Sequence, residues 1–147
     1  GVMKVPMKVD YGVRALVELA RRYGEGPIQT SEIAARQAIP EPYLDQLMTI
    51  LHKFGYVRSR RGPQGGHMLA RDPSDIKLGM VVETLEGTTP PLDCLIQPDE
   101  CMLSSTCAQR EVWRTVDEAV QTVLDSTTIA DLAHRQAHLA SRAVYQI

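Results

Sequence analysis

Three cysteines lie close together in one stretch of the sequence, Cys94, Cys101 and Cys107, with the spacing C-x6-C-x5-C. The chain has no other cysteine, and an odd number does not suit a framework of paired disulfides. Clustered thiols in a reducing compartment more often bind a metal or sense redox state, and thiolates are the ligands that soft metal centres prefer. The stretch therefore predicts a metal site or a thiol redox sensor.

A second group with chemical potential is a set of three arginines, Arg58, Arg60 and Arg61, just before the Gly/Pro-rich run 62–66. Two short strands around such a turn predict a β-hairpin. Arginines on a hairpin can contact DNA phosphates or enter the minor groove, where negative potential is concentrated. The alternative interpretation is an ordinary surface hairpin with solvated arginines.

The charge is distributed unevenly along the 147 residues, whose net charge is −2. Residues 1–71 carry 11 Lys and Arg against 6 Asp and Glu, a net +5, whereas residues 72–147 carry 5 against 12, a net −7. A basic half is where contact with nucleic acid is expected. We therefore expect the DNA-contacting surface in the N-terminal half.

The N-terminal half has the pattern of three helices ahead of the hairpin. Apolar spacing predicts a first helix over Val9–Tyr23, a short second helix capped by Thr30 or Ser31, and a third helix from about Pro42 to Phe54. The two later helices have the size and separation of a helix-turn-helix, whose second helix lies in the major groove. The apolar positions expected to be buried on the third helix are Leu44, Leu47, Met48 and Leu51.

The C-terminal half predicts three further helices, over Ser74–Leu85, Ala108–Leu124 and Ile129–Val144, the last capped by Thr127 or Thr128. The fold class is therefore mainly α with a small β-hairpin wing. We expect a winged helix-turn-helix domain over 1–86, a cysteine-bearing loop over 87–107, and dimerisation and C-terminal helices over 108–147, in one compact chain. The long helix carries a coiled-coil-like seam of Trp113, Val116, Val120 and Val123.

Three motifs resemble the IscR/NsrR-type regulators of the Rrf-two class: the runs 43–47 (YLDQL) and 61–66 (RGPQGG), and the three-cysteine loop before the Trp-bearing helix. The resemblance covers about 7–136. It implies a winged-helix homodimer, with a long helix crossing to the partner, that binds a double-stranded DNA operator. The predicted DNA-contacting residues are Thr30, Ser31, Glu41, Pro42, Tyr43, Gln46, Arg58, Arg60, Arg61, Pro63, Gln64 and Gly65.

The same resemblance implies an iron–sulfur cluster (2Fe-2S or 4Fe-4S) on the three cysteines, sensing redox state, nitric oxide or iron–sulfur status. One branch of the family supplies a fourth ligand as a histidine three residues after the last cysteine, and here that position is Arg110. Another branch uses an aspartate near the start of the first helix, given by the other subunit, and Asp10 matches it. Asp10 is therefore the predicted fourth ligand. The alternative is that Asp10 is a first-turn acid that stabilises its helix.

The sequence also leaves two other functions open. A cluster-free regulator with zinc-binding or redox-active cysteines is the main alternative, and a winged helix that binds another protein is a further one. An enzyme is not expected, because the sequence has no phosphate loop, no dinucleotide fingerprint and no recognisable nucleophile arrangement. No apolar run approaches the roughly 20 residues that a membrane span needs, so a cytoplasmic repressor that does not bind membranes is expected.

Overall fold

The computed structural model describes residues 4–87 and 106–145, so Cys94 and Cys101 lie outside the described residues. The described chain is mainly helical, with one two-stranded antiparallel hairpin, as predicted. The elements are α1 (Met7–Arg21), α2 (Thr30–Gln37), α3 (Glu41–Lys53), β1 (Val57–Arg60), β2 (Gly66–Leu69), a 3-10 turn (Pro73–Asp75), α4 (Leu78–Glu86), α5 (Ala108–Ser126) and α6 (Ile129–Tyr145).

The core lies where α1, α2 and α3 meet the hairpin and α4. The four apolar residues predicted to face inward from α3 are all buried, with at most 2% of their surface exposed. They pack with fully buried residues of α1 and α2 such as Leu16 and Ile33. Each such side chain contributes about 1.5–3 kcal/mol relative to remaining in water, so this cluster fixes the angle between α2 and α3.

Two predicted helix starts are wrong. Thr30 and Ser31 do not cap α2, because its N-cap is Gln29, which makes no side-chain capping bond, and Thr30 is already helical. The predicted helix from Ser74 is interrupted: Asp72 accepts hydrogen bonds from the amide and hydroxyl of Ser74, and Ile76 is extended. This local Asx turn competes with helix formation, so α4 begins only at Leu78.

The hairpin is attached to the helical body through its return strand. His67 in β2 exchanges both backbone hydrogen bonds with Ile28, at 2.7 and 2.8 Å, just ahead of α2. A Cβ atom on Gly66 would lie within 2.5 Å of the Ile28 carbonyl. Glycine at this position therefore lets the wing lie directly on the segment that leads into α2.

The start of α4 is joined to the start of α6. The Leu78 amide donates to the Thr127 carbonyl and the Ile129 amide donates to the Ile76 carbonyl, each at 2.8 Å. Thr128 caps α6 as predicted: its hydroxyl accepts from the Asp131 amide, and the Asp131 carboxylate accepts from the Thr128 amide. We call this pairing of 76–78 with 127–129 the clasp. The clasp holds the start of α4 next to the end of α5.

Helix α5 differs from the other long helices. None of its nineteen residues is buried against the described part of the chain, and Val112 and Val123 are 60% and 62% exposed. An apolar stripe of this kind is normally covered.

Candidate DNA-binding surface and sensor site

The first turns of α3 present part of the predicted DNA-reading set to solvent. Glu41, Pro42 and Gln46 are exposed. Tyr43 is half-buried instead, because its ring packs edge-to-face against Tyr11 of α1, with centroids 5.5 Å apart. Tyr43 thus helps to hold the helix-turn-helix on α1, whereas its three neighbours are free to approach base edges.

The wing exposes all three predicted arginines, Arg58, Arg60 and Arg61, together with Pro63 and Gln64. Gly65 is buried, so its role is to shape the turn. Its amide donates to the Gly62 carbonyl at 2.9 Å, and a side chain there would clash with the Arg60 carbonyl. The hairpin therefore holds three guanidinium groups in water, ready to neutralise phosphate charge.

Thr30 and Ser31 at the start of α2 differ in exposure. Ser31 is exposed. The Thr30 hydroxyl is engaged, lying 2.8 Å from Nε2 of His67 in the wing. The other ring nitrogen of His67, Nδ1, lies 3.2 Å from Nε2 of His52 on α3. Sequence reasoning missed this chain of contacts, because residues 30, 52 and 67 share no local pattern.

The pKa of His67 is lowered from its ordinary value of 6.5. Burial of the ring has the largest effect, because it disfavours the charged imidazolium. Positive charge on His52 lowers the pKa further, and the carboxylate of Asp45 acts in the opposite direction. His67 is therefore held in its neutral form at neutral pH.

Asp10, the predicted fourth ligand, makes a two-point ion pair inside its own helix. Its carboxylate accepts from Arg14 Nε at 3.0 Å and Arg14 Nη2 at 3.2 Å. Arg14 Nη1 also donates to the carbonyl of Gln37 at the end of α2. The N-cap of α1 is Pro6, so Asp10 does not cap the helix. Its carboxylate connects to the helix-turn-helix through one arginine.

A cavity of about 420 Å³ lies beside this pair, between α1, α4, α5 and α6. Its lining is mostly apolar, with Asp10 and Arg14 among the few polar contributors. The apolar lining residues are Val5, Val9, Val13, Val17, Leu78, Val82, Leu124, Leu132 and Leu139.

The sensor segment is represented in the described residues by Cys107, which is half-buried and is the N-cap of α5. Among residues 4–87 and 106–145, no three His, Cys, Asp or Glu side chains lie close enough to hold a metal ion. The donor chemistry fits an iron–sulfur cluster, because thiolates are its usual ligands. A thiolate at a helix start also meets unpaired amide groups that favour negative charge. Both oxygens of Asp10 are engaged by Arg14, so ligation by Asp10 gives up at least part of this ion pair.

The proposed dimer seam on α5 is partly covered and partly open. Trp113 and Val120 are half-buried, whereas Val116 and Val123 are exposed. Arg110, where one branch of the family has histidine, is half-buried one turn after Cys107. It remains protonated and cannot serve as a ligand.

A helix-turn-helix followed directly by a basic hairpin defines the class of winged helix-turn-helix proteins, which read DNA. The Rrf2 family model, described as "Iron-dependent Transcriptional regulator", matches residues 5–135. The chain belongs to this family. It is therefore a DNA-binding transcriptional regulator and not an enzyme, as predicted.

The similar proteins include regulators with two different names, CymR and IscR. The transcriptional regulator CymR of Bacillus subtilis is 40% identical over 131 residues, 89% of this chain and 90% of CymR. The solved structure of CymR (YrzC), described as the global cysteine regulator of B. subtilis, has a TM-score of 0.79 and 38% identity, covering 90% of this chain and 98% of CymR. The solved structure of T. potens IscR has a TM-score of 0.75 and 41% identity, covering 91% and 88%.

These structures confirm the fold class, and the family confirms transcription regulation. Among the helices of 4–87 and 106–145, none combines the length and apolar character that crossing a membrane requires.

Proposed function

We propose that the chain is a homodimeric repressor that binds a two-fold symmetric operator and is switched by an iron–sulfur cluster on Cys94, Cys101 and Cys107. The observation that carries the proposal is the position of Cys107. It begins a helix whose apolar side is partly exposed among the described residues, with Val116 and Val123 open to solvent. Because Cys107 is the N-cap of α5, gaining or losing a ligand bond at Cys107 displaces the start of the helix that is proposed to join the two subunits.

The dimer is supported by the exposed stripe on α5 and by the neighbouring apolar cavity. Two copies related by a two-fold axis cover the same patch on both subunits. Removing exposed valine surface from water stabilises an interface by about 25 cal/mol per Å². We propose that Trp113, Val116, Val120 and Val123 form this contact, consistent with a separate C-terminal dimerisation region over 108–147.

DNA binding is proposed to use α3 and the wing of each subunit. Glu41, Pro42 and Gln46 enter the major groove, and the wing arginines contact phosphates or the adjacent minor groove. Two subunits place their recognition helices about one helical turn of DNA apart, roughly 34 Å. Since its target is the chromosome, the protein is proposed to act in the cytoplasm.

When bound, an iron–sulfur cluster supplies iron that reacts with oxidants and nitric oxide. The contribution of this chain is the connection to the DNA-binding surface. Asp10 either pairs with Arg14 or, across the dimer, ligates iron. Arg14 also donates to the Gln37 carbonyl. When Asp10 moves from Arg14 to iron, Arg14 is therefore freed to move, and its contact with the end of α2 changes.

A second candidate is a cluster-free regulator whose cysteines bind zinc or form a regulatory disulfide. The likeness to CymR, described as a cysteine regulator, favours it. Zinc prefers a closed set of four ligands, so it too calls on a fourth donor besides the three thiols.

The two candidates are separated by purifying the full-length protein without oxygen and recording its visible spectrum, with iron, sulfide and zinc analysis. We expect a broad visible absorption with stoichiometric iron and sulfide, and its loss in Cys107→Ser. A protein that stays colourless after anaerobic reconstitution contradicts the cluster. Bound zinc then supports a zinc site, and mass-spectrometric disulfides support a thiol switch.

The role of Asp10 needs a variant that preserves its contact with Arg14. Asp10→Asn keeps an oxygen acceptor for Arg14 but removes the anionic ligand, and Asp75→Asn on the exposed 3-10 turn is the matched control. We expect Asp10→Asn to accelerate cluster loss in nitric oxide while leaving DNA binding by the cluster-free protein unchanged. Identical spectra and reactivity in all three proteins contradict ligation by Asp10.

A further inference from the structure

A chain of three side chains links the three parts of the DNA-binding surface. Thr30 belongs to α2, His67 to the wing and His52 to the recognition helix α3. The Thr30 hydroxyl lies 2.8 Å from His67 Nε2, and His67 Nδ1 lies 3.2 Å from His52 Nε2. Both ring nitrogens of His67 are therefore used, one toward each helix.

The backbone of His67 is fixed as well, through its two hydrogen bonds with Ile28. The side chain consequently cannot follow a movement of α3 without breaking a contact. The ring centroids of His52 and His67 are 5.4 Å apart at an interplanar angle of 60°. This geometry suits a hydrogen bond between ring edges and not stacking of the two faces.

The contacts limit how many protons the pair can carry. Between His67 Nδ1 and His52 Nε2, one nitrogen must donate and the other must accept. One added proton is tolerated, because a charged His52 can still donate to a neutral His67. A second proton places two N–H groups and two positive charges against each other, and the contact is lost.

We propose that Thr30, His67 and His52 form a positioning bridge that sets the wing against the recognition helix, and that specific DNA binding requires the bridge to be intact. The bridge goes beyond the general function of the family, since it makes operator recognition by this chain sensitive to proton concentration.

The charged groups that act on His67 are His52 and Asp45, both on α3. Thr30 on α2 carries no charge, Ile28 contributes its backbone only, and Ser59, which lies opposite His67 across the hairpin, is also uncharged. Burial therefore dominates, and the pKa of His67 is lowered. Because the folded state resists protonation of His67, the stability contributed by the bridge is complete above pH 6.5. It falls as the pH drops below that value toward the folded pKa.

Protonation has two opposing effects on DNA binding. An imidazolium adds positive charge near phosphates, which strengthens non-specific binding. Loss of the bridge releases the wing from α3, which weakens binding to the correct site only. The ratio of specific to non-specific affinity separates the two effects, and a merely charge-based role for His67 raises both affinities at low pH.

The test uses the full-length protein and a duplex selected from random double-stranded DNA by the wild-type protein at pH 8, with calf-thymus DNA as the non-specific probe. Affinity for each is measured from pH 8 to pH 5.5 at fixed ionic strength. We expect the specificity ratio of the wild type to fall several-fold across this range, because protonation breaks the contact between His52 and His67. His134→Gln, on the exposed surface of α6, is the control and should follow the wild type.

Two variants decide the role of the bridge. His67→Gln retains an uncharged donor and acceptor, so we expect it to keep the neutral-pH specificity within a few-fold and to lose the pH dependence. His67→Leu has no polar atoms and should lose specificity at every pH. A flat wild-type profile overturns the proposal, as does a His67→Gln profile that matches the wild type. If His67→Gln does not fold, the same comparison is made with His52→Gln.

Discussion

The helix-turn-helix body, meaning α1 to α4 with the hairpin, differs from helix α5 in how far its apolar residues are buried. The body buries its apolar residues against itself, with Leu16, Leu44 and Leu51 completely inaccessible. Helix α5 is equally amphipathic in sequence, yet none of its residues is buried against the described part of the chain. The apolar residues of the body are therefore covered within the described chain, whereas the apolar side of α5 is left largely exposed by residues 4–87 and 106–145.

The two regions also differ in charge, with a net +5 over residues 1–71 and −7 over residues 72–147. The basic region carries the exposed wing arginines. The acidic region is repelled by DNA phosphate and is therefore kept away from the duplex. Burial and charge together favour the proposed DNA contact through the first region and the proposed subunit contact through the second.

The largest expected effect comes from a truncation in the body. Leu51→Ala removes a fully buried side chain and should lower the free energy of unfolding by about 2–5 kcal/mol, through lost burial and the cavity left behind. Denaturant unfolding at several protein concentrations measures it, and the loss should be the same at each.

The matched truncation on α5 is Val123→Ala, at a side chain that is 62% exposed. We expect a change within about 0.5 kcal/mol for the single chain, as at other surface positions, but a larger dimer dissociation constant by analytical ultracentrifugation. A concentration-independent loss similar to that of Leu51→Ala contradicts the distinction between the two regions.

The next largest effect is expected at the junction of wing and body. Gly66→Ala places a methyl group against the Ile28 carbonyl, and such overpacking typically costs about 1–3 kcal/mol. Thermal unfolding should reveal the loss, and specific DNA affinity should fall with it. Gly24→Ala is the control for backbone strain, because Gly24 also has a positive φ, 87°, but nothing lies within 4 Å of the position its Cβ would take. It should lose less stability than Gly66→Ala, and equal losses argue against the close approach.

A smaller effect is expected from each wing arginine. Arg61→Ala should reduce by about one the slope of log affinity against log salt concentration, because one fewer phosphate is neutralised. The measurement is a titration of duplex DNA at several salt concentrations. Arg142→Ala on the exposed surface of α6 should leave the slope unchanged, and a reduced slope in that variant places DNA contact outside the basic region.

The smallest effect concerns the clasp. Thr128→Ala removes the cap of α6 and should destabilise the protein by about 1 kcal/mol. Thr115→Ala removes an exposed hydroxyl that bonds only within its own helix and should cost nothing. Urea unfolding of the two variants, compared with the wild type, checks the difference.

Much of the fold could be predicted because its determinants are local. The apolar spacing of α3 identified its four buried residues, and the threonines at 127 and 128 predicted a cap, which the structure places at Thr128. The wing was visible because three arginines and a Gly/Pro turn follow the recognition helix directly. Periodicity, capping and turn chemistry act over a few residues, so they can be recognised in a sequence.

Interactions between distant residues could not be predicted in this way. Thr30 was expected to cap α2, but its hydroxyl binds His67, which is 37 positions away. Tyr43 is predicted to contact DNA, and nothing in the sequence indicated that its ring also packs edge-to-face against Tyr11. The carboxylate of Asp10 was expected on iron, and its partner in the single chain is Arg14. For Thr30 and Tyr43 the contact is tertiary, whereas for Asp10 the partner lies one turn away in the same helix.

The sensor residues illustrate a different limit. Cysteine as a residue type defines the chemistry of the donors. The spacing C-x6-C-x5-C does not define how the three thiols are arranged in space. Cys94 and Cys101 lie outside the described residues, so the cluster remains a proposal that rests on donor type, on Cys107 and on the family.

The clasp has an evolutionary consequence. Because 76–78 pair with 127–129, the start of α4 and the end of α5 are held at a fixed separation. Helix α4 itself belongs to the core, so the variable part is the segment that joins α4 to α5. Residues can be gained or lost inside it without changing the register of the DNA-reading body, since closing a somewhat longer loop costs little free energy. The segment between α4 and α5 can therefore diverge in sequence independently of the helix-turn-helix and the wing.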